Sequence, residues 1–167
     1  INTAIDSLNT SVKKTWKAHQ INSKGMYQMS LTKEFFTAGH AIFTVTSVTG
    51  EYYTYLIRKI ETNNRYPEAY FVYLLTGPDN TQDYTYLGVV NKQTGDVRTT
   101  TKSKFNRQSK CVRVIDWALN LIWNEKQIPT GYSVRHIGKC GRCGRPLTTP
   151  QSLDTGLGPV CMEKAND

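Results

Sequence analysis

The chain has 167 residues, 38% hydrophobic and 11% aromatic, with a formal net charge of +8. Ten Tyr, five Phe and three Trp exclude a disordered chain, which lacks the apolar surface that offsets ordering; the length suits one ordinary domain with a small appendage. No apolar run approaches the roughly 20 residues of a membrane helix, and Ile1 to Asp6 lacks the basic head and apolar run of a secretion signal, so the expectation is a cytosolic protein with no membrane partner.

Residues Asn2 to Gln20 read as a helix, because Ile5, Leu8, Val12 and Trp16 recur at spacings of three and four and share one face. Ile21 to Gly25 reads as a connector. From Met26 to about Thr101 the pattern is that of strands. Ala41 to Thr49 alternates and is β-branched, Thr49-Gly50-Glu51 signals a turn, and Tyr52 to Ile60 completes a hairpin. Asn63 to Pro67 breaks the pattern, and Glu68 to Leu75 follows as a third strand. Gly77 to Asn80 reads as a loop. Tyr84 to Asn91 and Asp96 to Thr101 bracket Gln93-Thr94-Gly95 as a second hairpin. Five strands on mostly short loops predict an antiparallel meander.

Lys104 to Lys110 is a basic, polar linker. Cys111 to Asn124 then reads as a helix, with Val112, Ile115, Leu119 and Ile122 as its apolar stripe, Ala118 widening it and Ser109 as N-cap. Pro129 and Gly131 mark the region past its end, and Tyr132 to Ile137 reads as a short strand. The expected architecture is α+β: an antiparallel sheet packed with helices over residues 1–130, then a zinc-ribbon or treble-clef-like module over residues 131–167.

Four cysteines are present, and two of them form Cys140-Gly-Arg-Cys143. Without a secretion signal this spacing points to a metal site rather than to disulfides. Thiolates with imidazole suit tetrahedral zinc. Gly141 and Gly144 follow the two cysteines, as the bent backbone of a knuckle requires. The third thiolate, Cys161, lies 18 residues after Cys143, and Gly156-Leu-Gly-Pro159 predicts a turn that opens a short helix carrying it. His136, four residues before Cys140, is the nearest fourth ligand, with Cys111 as its rival. One structural Zn²⁺ on His136, Cys140, Cys143 and Cys161 is the expectation. A catalytic zinc is not, since no Glu stands in a His-x-Glu or His-Glu-x-x-His arrangement.

The run Cys140-Gly-Arg-Cys143-Gly-Arg-Pro-Leu-Thr148, then Pro150-Gln-Ser152, then Gly156-Leu-Gly-Pro159-Val-Cys161 resembles a small zinc-ribbon-like family. Its members occur mainly in bacteriophage proteins and at the ends of phage helicase-like proteins. Tyr86-Leu-Gly88, Lys102-Ser-Lys104 and Trp117-Ala-Leu119 resemble the domain that often precedes the module there. The resemblance implies a phage protein acting in the cytoplasm of a host bacterium. It implies no settled activity.

Charge supplies the functional expectation. From Val97 to Arg145 there are eleven basic residues and two acids, Asp116 and Glu125, while the rest of the chain is nearly neutral. Lys102, Lys104, Arg107, Lys110, Arg135, Lys139, Arg142 and Arg145 are candidate contacts to nucleic acid, DNA ahead of RNA, with binding directed mainly at the backbone. Strand tyrosines and Phe71 are candidates for stacking bases or for ordinary packing. Capture of a host bacterial protein by the same basic surface is the alternative. No nucleophile–base pair, paired carboxylates or phosphate-cradling loop is present. His40 and Cys111 read as packing residues, so no enzymatic activity and no small-molecule substrate are expected.

Overall fold

The computed structural model describes residues 19–21, 27–29, 31–61 and 68–165. In chain order its elements are β1 (His19–Ile21), β2 (Tyr27–Met29), α1 (Lys33–Phe36), β3 (His40–Thr46), β4 (Tyr52–Ile60), β5 (Ala69–Leu75), β6 (Tyr84–Val90), β7 (Val97–Arg98), α2 (Lys110–Trp123), β8 (Ser133–His136), α3 (Pro150–Thr155) and α4 (Pro159–Ala165). The predicted helix Asn2 to Gln20 lies outside the described residues except at its end, where His19 and Gln20 pair with Met29 and Gln28 in a short antiparallel hairpin. That end is a correction: the apolar stripe stops at Trp16, and nothing periodic carried the helix to Gln20. The predicted break at Asn63 to Pro67 also lies outside the described residues.

The main sheet is antiparallel, with order β7-β6-β5-β4-β3-β8. The expected meander is therefore present, and β8 adds a sixth strand by pairing with β3, Val45 opposite Val134 and Thr46 opposite Ser133. α2 connects β7 at one edge to β8 at the other. With a few helices beside one antiparallel sheet, the fold is α+β.

Alternation places one face of the sheet inward. Ala41, Phe43 and Val45 of β3, Tyr55 and Ile57 of β4, and Tyr70, Val72 and Leu74 of β5 are buried in one cluster. Val112, Ile115, Ala118 and Leu119 of α2 belong to the same cluster, and Ile122 packs against it partly exposed. Each such large side chain contributes about 1.5–3 kcal/mol relative to exposure. Phe71, Tyr73 and Tyr86 lie outside the cluster on the other face, their rings meeting edge to face at 5.7 and 5.8 Å. The strand aromatics thus divide: Tyr55 and Tyr70 are core, and these three are not.

Tyr55 shows how sheet and helix are joined. Its ring is fully buried beside Phe43, and its hydroxyl donates to the Cys111 carbonyl oxygen at 2.7 Å. Burial raises the phenol's pKa well above its ordinary value, so it remains a donor across the accessible pH range. Tyr55→Phe is expected to lower stability by about 1 kcal/mol, read as a lower urea midpoint at unchanged slope. A change in slope instead would mean that α2 had come away from the sheet.

Strand ends differ from expectation for local reasons. β3 stops at Thr46 because Ser47 accepts the turn, its N–H donating to Glu51 O at 2.8 Å and its carbonyl accepting Gly50 N–H at 3.0 Å. The strand predicted from Asp96 to Thr101 pairs only at Val97 and Arg98, since Thr100 and Ser103 bond each other in a turn. Ser109 is the N-cap residue of α2, but its side chain makes no capping hydrogen bond. α1 was not anticipated within the strand pattern.

Candidate metal centre

β8 feeds directly into the cysteine motif. Lys139 and Pro146 bridge as an antiparallel pair, Cys140 N–H donates to Arg145 O at 2.8 Å, and Gly144 N–H returns to Cys140 O at 3.0 Å. These bonds close the knuckle. Gly144 has φ +77°, a conformation that strains any residue with a Cβ. Gly141 is needed for a different reason: a Cβ there would run into the ring and carbonyl of Phe35.

α3 begins with a capping box in which the Thr149 and Ser152 side chains bond each other's backbone N–H, and it ends at Gly156 with φ +74°. A Cβ at Gly156 would likewise collide with the Phe35 ring. The turn Gly156 to Gly158 opens α4 with Pro159 in its first turn and Cys161 on it, as the motif predicted. Gly141 N–H donates to Gly156 O at 2.8 Å, which draws the knuckle and this turn together.

The sulfurs of Cys140, Cys143 and Cys161 consequently lie within 4.8 Å of one another. Thiolates on one tetrahedral zinc stand about 3.8 Å apart, given a Zn–S bond of roughly 2.3 Å, so the three fit a single metal ion. Cys140 is 1% exposed and Cys143 is exposed. The Arg142 and Gly158 N–H groups each point at the Cys140 sulfur at 3.4 Å. Burial acts to raise the Cys140 thiol, but the N–H groups of Cys143, Gly158 and Arg142 outweigh it and bring its pKa to about 7. Cys161 is pushed up to about 11 by burial and by its hydrogen bonds to the other two thiols. Donors on one sulfur favour a thiolate ligand.

His136 does not join this group. Its Nδ1 accepts Gly138 N–H at 2.8 Å, within the turn that follows β8, and its Nε2 donates to the Leu153 carbonyl, which clips β8 to the end of α3. It occupies the register position opposite Phe43 and packs on Phe35 at 6.0 Å between ring centroids. The structure therefore brings together three of the four expected ligands. Cys111, the rival, is buried in the core at the start of α2, where burial raises its pKa.

Two further residues hold the site in place, and Phe35 was missed in the sequence. Phe35 forms its floor, signalled only by the two glycines that make room for it. At His40, expected as a packing residue, the backbone N–H donates to Gly141 O at 2.7 Å, which fastens the knuckle to the start of β3. Its imidazole pKa is lowered by burial and by the neighbouring Arg58 and Lys139 charges.

The eight candidate nucleic-acid contacts are all exposed, but they do not form one surface. Lys139, Arg142 and Arg145 surround the knuckle, with Arg135 just before it on β8. Lys102, Lys104 and Arg107 follow β7 at the opposite sheet edge, roughly 24 Å away at about 4.8 Å per strand, and Lys104 N–H bonds Tyr86 O. Lys110 is paired with Glu51.

Among the described residues no helix is long and apolar enough to cross a membrane. Comparison with curated proteins and with solved structures gives no match. Residues 133–166, which hold β8, the knuckle and both short helices, match a family of unknown function (DUF6011).

Proposed function

We propose that the chain is a zinc-stabilised, non-enzymatic protein that binds nucleic acid through phosphate contacts made by the knuckle. Three clustered thiolates favour zinc over harder cations. The observation that carries the reading is the placement of Lys139, Arg142 and Arg145, all exposed on a turn whose backbone is anchored by a buried cysteine. None of the three is ion-paired among the described residues. Of the two acids in the basic stretch, Asp116 is turned inward and accepts Val97 N–H at 2.8 Å. The rings of Phe71, Tyr73 and Tyr86 on the outer sheet face support single strands as ligands. The motif's resemblance to phage proteins supports DNA in a host bacterial cytoplasm as the setting.

A second reading, capture of a host bacterial protein, is favoured by Val160, 63% exposed on α4. An apolar side chain one residue from a metal ligand is unusual on a surface that meets only phosphate.

Binding to single- and double-stranded DNA and RNA at several salt concentrations tests the first reading. Replacing Lys139, Arg142 and Arg145 with Ala is expected to weaken binding and to flatten the log–log salt dependence by about 0.7–0.9 for each cation that meets a phosphate. An unchanged slope would remove the knuckle from the interface. Absence of binding at low salt would leave the host-protein reading.

A further inference from the structure

A cleft of 840 Å³ opens between the β3–β4 turn and α2, far from the cysteines. β3 begins at the knuckle and ends at this cleft, and its seven residues separate the two by roughly 20 Å at about 3.3 Å per residue. The volume falls within the range of small-molecule pockets. Val45 and Val114 contribute apolar surface. Trp117 and Tyr132 form an aromatic wall, their rings meeting edge to face at 5.2 Å, and Tyr53 adds a third ring.

The charges around the cleft are unequal. Lys110 and Glu51 pair with each other, and Lys110 holds the Glu51 carboxyl below its ordinary range. Arg113 also lines the cleft, is exposed, and has no ion pair among the described residues. The cleft therefore combines flat aromatic surfaces with one uncompensated guanidinium, a group suited to bidentate contact with phosphate. Gln108 and Ser47 supply amide and hydroxyl groups beside them.

We propose that this cleft binds one nucleotide, its base against Trp117 and Tyr132 and its phosphate at Arg113. A nucleoside lacks the anion that Arg113 would meet, and inorganic phosphate lacks the ring that the aromatic wall would cover. A free mononucleotide and a single nucleotide of a bound strand present the same chemistry.

Titration of the full, zinc-loaded chain with AMP, GMP, CMP and UMP by calorimetry tests the site, with adenosine and inorganic phosphate in parallel. Saturable binding of at least one mononucleotide is expected, with adenosine and phosphate each weaker by about tenfold or more. Arg113→Ala is expected to lower affinity about tenfold, and Arg113→Lys to restore part of it. Tyr132→Leu is expected to reduce affinity with the phosphate requirement intact. No saturable binding of any mononucleotide, or binding unaffected by Arg113→Ala, would overturn the proposal; Arg113 is exposed on α2, so its variants should fold. An oligonucleotide that displaces the mononucleotide would assign the cleft to a strand, and one that binds without displacing it would assign it to free nucleotides. Failure here leaves the knuckle reading standing, because the salt slope of Lys139, Arg142 and Arg145 tests that separately.

Discussion

Stripping the metal with a strong chelator, or replacing Cys140 with Ser, is expected to loosen the main fold as well as the C-terminal helices. Cys140 and Leu157 belong to the same buried cluster as Phe43 and Val112, and the knuckle is bonded to β3 through His40 and Gly141. Without a metal, three thiols that lie within 4.8 Å of one another must share protons or separate. A structural zinc of this kind is worth on the order of 10 kcal/mol in apparent free energy, comparable with the whole stability of a domain. Elemental analysis should give one zinc per chain for the wild type and almost none for Cys140→Ser, with a large fall in the urea midpoint. Cys143→Ser should lose zinc as well but be less damaging without metal, because its side chain is exposed. His136→Ala separates the two ligand sets. On the geometry observed, it keeps zinc and costs about 1–2 kcal/mol for the lost clip to Leu153. Loss of zinc in that variant would make the imidazole a ligand after all. A wild-type chain whose midpoint does not move in chelator would end the structural-zinc reading.

The contrast between Cys161 and His136 shows which parts of the site were legible in sequence. Cys161 could be placed on its short helix because the signal for that helix is local: a glycine turn, a proline in the first helical turn, then the cysteine. His136 lies much closer to Cys140 in sequence, four residues before it, but its orientation is set by a non-local fact. β8 pairs with β3 in a register that puts the ring opposite Phe43, facing Phe35 and the end of α3. A short strand with two polar ends gives no hint of its partner. The same limit applies to charge. The eleven cations fall in one stretch of sequence, yet α2 crosses from one sheet edge to the other between β7 and β8, so they separate into distant groups. Strands β4 to β6 were readable to within a residue because alternation is a local signal, and β3 was overrun by three residues at its end, where Ser47 enters the turn. α1 spans only four residues, too few for a helical period to show against neighbouring strands. Gly141 is expected from sequence for the bent backbone of the knuckle, but what the structure requires there is close approach to Phe35, a partner that lies far away in sequence.

Phe35→Ala should have the second large effect, and it bears on whether residues 131–167 fold as a unit of their own. Phe35 is fully buried. Its ring meets Phe36 edge to face at 5.1 Å, and Phe36 in turn meets Phe43 of the sheet at 4.8 Å. On its other side lie the backbones of Gly141 and Gly156, packed too closely for a Cβ on either. One side chain therefore touches both glycines that shape the thiol cluster. Truncating it is expected to cost about 3–5 kcal/mol, more than an ordinary core deletion of its size if the knuckle cannot collapse into the space. If the core shapes the cluster, zinc affinity should fall together with stability, and removing zinc should add less further destabilisation than in the wild type. If the module folds by itself around the metal, Phe35→Ala should lower the unfolding midpoint and leave zinc affinity unchanged. Gly156→Ala approaches the same contact from the other side, adding a positive-φ strain and a Cβ against the Phe35 ring. Combined with Phe35→Ala it should be less harmful than alone, because the smaller side chain leaves room for the new methyl group. Loss of that coupling would mean that backbone conformation, not the ring, is what Gly156 supplies.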